Sequence, residues 1–250
     1  GHATRTRTLL TCVNRAGIEV KEMVFEPLAT ASGVLTPDER ELGALVIDIG
    51  AGTSSYAYFI TGEAHHSAVL PLAAGHFTND LAMVLRTPFA EAEEIKMTKG
   101  CCLRNLVEPD EGVTVPSVGG GGTRVVPRRE LSDILQPRAQ EIFSLVREDL
   151  MAVAGDVALR GGVVLAGGGA QLDGLNEVAE QVFDTPVRSG LPTGLVGLVD
   201  VIHSPVWSTA AGLLVHGQGT ERARNGAGQR SFLGMRSMVG GIRGMFRDLL

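Results

Sequence analysis

Two short apolar runs, each cut off by a cluster of glycines, constrain this chain more than anything else in it. The first passes from Leu45-Val46-Ile47-Asp48-Ile49 into Gly50-Ala51-Gly52-Thr53-Ser54. The second passes from Val163-Val164-Leu165-Ala166 into Gly167-Gly168-Gly169. Each has the length and β-branched content of a buried strand. Glycines at a strand end let main-chain N–H groups approach an anion with no Cβ in the way, and those dipoles form an anion nest. Asp48 stands where a carboxylate can hold a hydrated Mg2+ beside a phosphate. The pair points to a nucleotide site. It is not a Rossmann unit, because a second strand-like run, 54–60, follows the first glycines where that unit needs a helix.

The rest of the chain alternates helix and strand patterns. Residues 4–16 read as a helix closed by Gly17, 18–25 as a strand, and 27–35 as a short helix stopped by a Thr36-Pro37-Asp38 turn. Strands are expected over 43–49, 54–60 and 65–71, with Thr61-Gly62-Glu63 as a hairpin turn. Residues 76–85 and 88–100 read as helices, the second with Thr87 as N-cap and Pro88 at its first position. Residues 105–129 read as irregular, with an exposed hairpin at the Gly119–Gly122 run. A helix over 130–154 is expected to break at Pro137 and to bury Ile142, Leu145, Val146 and Val153. Strand 162–166, helix 173–183, strand 186–188 and helix 205–215 follow.

The 250 residues carry a net charge of −6, which argues against general nucleic-acid binding. That figure hides an asymmetry. Residues 218–250 hold six arginines against two acids, so the body before them is strongly acidic. Cys12, Cys101 and Cys102 are odd in number and two are adjacent, which argues against a disulfide framework and for a reducing compartment. No His/Cys spacing fits zinc, and His65-His66 read as solvated or cross-strand residues. No apolar run approaches the roughly 18–20 residues that span a bilayer. The opening Gly1-His2 leads straight into helix-like sequence, as in a fragment of a longer protein.

A series of short motifs in order carries a family resemblance: Glu39-Arg40-Glu41-Leu42-Gly43 before the Asp48 turn, Glu91-Ala92-Glu93-Glu94-Ile95-Lys96 with Lys99-Gly100-Cys101, and Val115-Pro116-Ser117-Val118-Gly119-Gly120. Gln136-Pro137-Arg138, Val164-Leu165-Ala166-Gly167-Gly168 and Trp207-Ser208-Thr209-Ala210-Ala211-Gly212-Leu213-Leu214 complete it. The chain resembles the actin/Hsp70/hexokinase-type ATPases, and within them the FtsA family of bacterial cell division. The resemblance implies an α/β, actin-like (ribonuclease-H-like) fold, a mixed sheet with flanking helices plus an inserted smaller subdomain, and ATP with Mg2+ in a cleft. Asp48, Gly50, Ala51, Gly52, Thr53 and Ser54 would form the second phosphate loop, with Asp48 holding Mg2+ through water. Gly167, Gly168 and Gly169 would form the adenosine loop. Glu93, Lys96 and Gly100 would face ribose or adenine, and Glu26, before Pro27, would order metal and attacking water. Ala51 replaces a usual third glycine and Ser55 a frequent Asp, which bears on hydrolysis more than on binding. The first phosphate loop and the family's 1C subdomain are expected ahead of residue 1.

The resemblance also divides the chain: 1–42 as a remnant of the first lobe, 43–75 with 137–204 as the nucleotide-binding subdomain, 76–136 as the inserted one, and 205–216 as a helix returning to the first lobe. Residues 217–230 read as a flexible linker. After it, Phe232, Met235, Val239, Ile242, Phe246 and Leu249 recur at intervals of three and four, with Arg236, Arg243 and Arg247 off that stripe. A basic amphipathic helix behind a linker is the pattern of an interfacial membrane anchor, and the family's membrane-targeting helix agrees. Docking on the protein's own core or in a partner's groove is the competing reading. The expected role is an actin-like protein, at most a slow ATPase, that polymerises and tethers the C-terminal tail of FtsZ to the anionic cytoplasmic membrane at the division site, among other division proteins. A small-molecule kinase of the same superfamily and a filament subunit with a degenerate nucleotide site remain the alternatives.

Overall fold

The computed structural model describes residues 3–155, 159–196 and 202–219. Its centre is β1 (Ala44–Ile49), every residue of which is buried. The strand feeds two cores because its side chains alternate. Leu45, Ile47 and Ile49 enter the larger core with Phe77, Leu135 and Phe143, whereas Ala44 and Val46 enter a smaller one with Ala31, Val34 and Phe59.

β1 is flanked by β2 (Ser54–Ile60) and β3 (Glu63–Leu70) on one side and by β6 (Val163–Ala166) and β7 (Val187–Ser189) on the other, giving the order β3-β2-β1-β6-β7. The β3–β2–β1 side is antiparallel and the β1–β6–β7 side parallel, so the sheet is mixed. α2 (Glu26–Val34) covers the smaller core. α4 (Ala74–Leu85), α6 (Arg128–Ala154) and α7 (Leu175–Phe183) cover the larger one. A two-stranded sheet of β4 (Gly112–Pro116) and β5 (Thr123–Pro127) lies between α5 (Phe89–Lys99) and α6, and its Gly119–Gly122 turn is exposed as expected.

α1 (Ala3–Arg15) ends before Gly17, whose φ is +78°. Residues 18–25, expected as a strand, form none. They find no ladder partner among the described residues, and Ile18, Met23 and Phe25 stay exposed. α2 ends at Val34, just before Thr36-Pro37-Asp38 as expected, but that segment also starts α3 (Pro37–Leu42). Thr36 Oγ1 accepts from Glu39 N at 3.2 Å while Thr36 N donates to Glu39 Oε2 at 2.8 Å, a reciprocal cap. At α5 the N-cap is Pro88, one residue later than expected, and Thr87 is buried with its hydroxyl unpaired.

α6 runs unbroken through Pro137. A proline there removes one helical hydrogen bond, but Asp133, whose carbonyl loses its donor, is exposed to solvent, as is Pro137 itself. Leu131, Leu135, Ile142, Phe143, Val146 and Leu150 hold the opposite face in the core. Val153 is exposed, so the buried stripe ends one turn sooner than its spacing implied. The last described element, α8 over 208–219, follows a single 3-10 turn at Pro205–Trp207. α2 and α8 cross almost backbone to backbone: a Cβ on Gly212 would lie 1.7 Å from Ala29 O. The linker and anchor expected at 220–250 lie outside the described residues.

Candidate nucleotide site

Parallel pairing of β1 with β6 sets Asp48 level with Ala166. The two glycine turns therefore leave the sheet side by side. Gly50 N donates to Thr53 O at 3.0 Å and closes the first turn, which is stitched to the start of α4 by Ala74 N→Gly50 O and Gly75 N→Ala51 O at 3.0 and 2.8 Å. In the second turn Gly167 has φ +82°, a conformation only glycine adopts readily. Its neighbour Gly169 packs so tightly that a Cβ would lie 2.5 Å from Ile49 Cγ2.

Between the turns and α5 opens a cavity of about 440 Å³, within the range of ligand-binding clefts. Gly50, Ala51, Glu93, Lys96, Gly100, Gly168 and Gly169, all singled out in the sequence, line it. Gly168 is informative in its own right. A Cβ there meets no protein atom within 4 Å, so nothing in the chain itself explains the missing side chain. It leaves room for a ligand.

On the α5 wall Lys96 is sunk to 9% exposure. Its Nζ donates to Glu93 Oε1 and Oε2 at 2.9 and 2.7 Å, to Thr78 Oγ1 at 2.9 Å and to Ala74 O at 3.2 Å, and Thr78 also donates to Glu93. Burial pushes the Glu93 carboxyl up, but the bonds from Lys96 and Thr78 and the lysine charge outweigh it and hold the group below the usual carboxylate range. The pair is a fixed polar wall on an otherwise mixed cavity, suited to hydroxyls and ring nitrogens.

Asp48 sits beneath the first turn at 6% exposure. Its Oδ2 accepts from Thr30 Oγ1 of α2 at 2.8 Å and from Thr209 Oγ1 of α8 at 2.7 Å. With one oxygen so occupied, Asp48 fits a cation through water better than a full ligand set. Among the described residues no three or more His, Cys, Asp or Glu side chains cluster as a metal site. Glu26 opens α2 beside it. Partial desolvation and then the Asp48 charge raise its carboxyl above the usual range.

The remaining sequence candidates lie outside the lining. Gly52 and Thr53 are exposed at the turn, and Gly167 is behind it against Asp48. Ser54 is wholly buried, its hydroxyl donating to Leu72 O at 2.6 Å, so its side chain serves the sheet. The tail residues from Phe232 to Leu249 lie outside the described residues. Sequence reasoning missed Thr30, Thr209 and Thr78, hydroxyls inside helices that only the packing brings to the site. Cys101 and Cys102 are buried just past α5. His66 is a cross-strand residue, with Nε2 2.6 Å from Asp149 Oδ2 on α6.

Comparison with solved structures gives the fold. MreB5 of Spiroplasma citri bound to ADP superposes with a TM-score of 0.72 at 20% identity, covering 90% of this chain and 68% of that one. The MamK double helical filament gives 0.63 at 17%, covering 87% and 66%. The fold is actin-like. Among curated proteins, the cell division protein FtsA of Pseudomonas aeruginosa is 44% identical over 206 residues, 82% of this chain and 49% of that protein. That of Escherichia coli (strain K12) is 40% identical over 224 residues, 87% and 53%. The chain thus spans about half the length of the curated relatives it matches. The sequence model of the family described as Cell division protein FtsA matches residues 45–212, and with relatives of such identity along most of its length this chain belongs to the FtsA family.

Proposed function

We propose that this chain supplies the adenosine-binding and second-phosphate side of an actin-like ATP site, in a protein that polymerises and tethers FtsZ to the cytoplasmic membrane during division. The observation that carries the nucleotide reading is the buried Lys96, paired with Glu93, facing two glycine turns across one cavity. Gly168 and Gly169 would lie under the base and sugar, Glu93 and Lys96 beside the ribose, and the Gly50–Thr53 turn would offer N–H groups to the phosphates. Mg2+, when bound with the nucleotide, would neutralise phosphate charge. Asp48 would orient its water shell and Glu26 would hold the water that attacks. We read 43–75 with 137–204 as the nucleotide subdomain and 76–136 as the inserted one that meets the FtsZ tail.

The tail supplies the membrane half of the reading. Six large apolar residues on one stripe offer about 1.5 kcal/mol or more each on burial, and each arginine near an anionic surface about 1 kcal/mol. One observation favours the degenerate-site alternative: Ser55, paired in register with Asp48 where the family resemblance leads one to expect an Asp, is buried without a hydrogen-bond partner among the described residues. That arrangement favours slow or absent hydrolysis over loss of binding.

Co-sedimentation with vesicles of defined anionic content, comparing the full chain with one ending at residue 217, tests the tether. Pelleting of the longer chain alone, weakened by salt, supports it. Equal behaviour of the two removes it. Metal-dependent ATP binding by the full-length chain tests the site, and phosphate transfer to sugars would favour the kinase.

A further inference from the structure

Asp48 is held in an unusual way for a residue at the end of a central strand. Its register partner on β2, Ser55, has a buried hydroxyl with no hydrogen-bond partner among the described residues. The carboxylate reaches past the sheet to two helices instead. Thr30 of α2 and Thr209 of α8 both lie within hydrogen-bond distance of Oδ2, and the two hydroxyl oxygens are themselves 2.8 Å apart. A carboxylate this enclosed needs donors in place of its water. Both donors sit on one oxygen. The other, Oδ1, lies against the second glycine turn, where a Cβ on Gly167 would be 2.3 Å away.

The two threonines flank a single mechanical joint. Thr30 follows Ala29, whose carbonyl meets Gly212, and a Cβ on Gly33 would lie 2.6 Å from Ser208 O, next to Thr209. At that crossing the two backbones are in direct contact, so a shift of one helix presses on the other. A displacement of Asp48 therefore reaches both helices through two short hydrogen bonds.

We propose that Thr30 and Thr209 are positioning residues. They fix Asp48 beneath the first glycine turn, where it would order the hydrated cation of a bound nucleotide, and they transmit that occupancy to the α2–α8 crossing. This rests on the reading of the cavity as a nucleotide site.

The test uses the full-length chain and its Thr209→Val, Thr209→Ser and Thr30→Val variants. ATP affinity is measured with Mg2+ and with EDTA, and hydrogen exchange is followed over α2 and α8 with and without Mg-ATP. Valine keeps the shape and removes the donor. Losing a hydrogen bond to a charged group predicts about tenfold weaker Mg-ATP binding, with EDTA binding within about twofold of the parent. Serine restores the Mg2+ response, and only the valine variants lose nucleotide-dependent protection of α8. Parent-like affinity and protection in both valine variants overturn the proposal while leaving the nucleotide site intact. Failure of the parent chain to bind ATP overturns both. If Thr209→Val does not fold, Thr30→Val decides.

Discussion

Lys96 and Glu93, three residues apart on α5, are paired through both carboxylate oxygens at 2.9 and 2.7 Å, with the lysine almost wholly enclosed. Because Thr78 and Ala74 O take further bonds from the same ammonium, the lysine joins α4 to α5 at the cavity wall. Lys96→Met keeps the stem and leaves Glu93 without its cation. We expect a stability loss of about 1–2 kcal/mol by denaturant titration and at least tenfold weaker ATP binding by calorimetry. Unchanged binding would remove the pair from the site.

Two glycines separate folding from binding. Gly212→Ala drives a methyl into Ala29 O, backbone against backbone, and should cost about 3 kcal/mol, a fall of roughly 10 °C in melting temperature for a chain this size. Gly168→Ala has open space around it, so its stability should stay within about 0.5 kcal/mol of the parent while ATP affinity drops. Calorimetric scans of both variants, followed by nucleotide titration, check the contrast.

Asp149 offers a stability test against pH. The Tyr56 hydroxyl at 2.6 Å, then the His66 contact, hold its carboxyl below the ordinary Asp range. A depressed folded-state pKa adds stability above the unfolded value near 4, and that stability is lost as pH falls through the lower folded value. Tyr56→Phe should therefore be about 1 kcal/mol less stable than the parent at pH 7, with the gap narrowing below about pH 4. Urea midpoints from pH 3 to 8 would show it, and a gap constant across that range would refute it.

Glu26 has the opposite sign. Partial desolvation and then Asp48 raise its folded-state pKa, so its charge opposes folding above the unfolded value and the opposition lifts on acidification. Glu26→Gln should be slightly more stable than the parent at pH 7 and lose that advantage below about pH 4. The same variant should bind ATP normally and turn it over more slowly. Faster or equal turnover would take Glu26 out of the hydrolytic role.

How far the sequence could be read depended on range. β1 and β6 were legible because six and four consecutive buried residues leave an apolar run, broken only by Asp48. Glu93 and Lys96 were legible as neighbours on one helix face, although nothing local says that the lysine is enclosed. The start of α3 was written in Thr36-Pro37-Asp38-Glu39, a capping sequence that also spells a turn. Pro137 read as a break because its tolerance depends on which face meets water. Thr30 and Thr209 were illegible: a threonine inside a helix carries no local mark, and the two lie 179 residues apart.

The bond from Thr209 to Asp48 closes over 161 residues. During synthesis at roughly 5–20 residues per second, Asp48 and the whole first glycine turn emerge on the order of ten seconds before their last hydroxyl donor exists. Until then the carboxylate has Thr30 alone, and the loop that must close is among the costliest in the chain. A ribosome-bound chain stalled short of residue 209 is expected to leave Asp48 open to water. The setting of Asp48 beneath the first glycine turn is then completed only once α8 has been made.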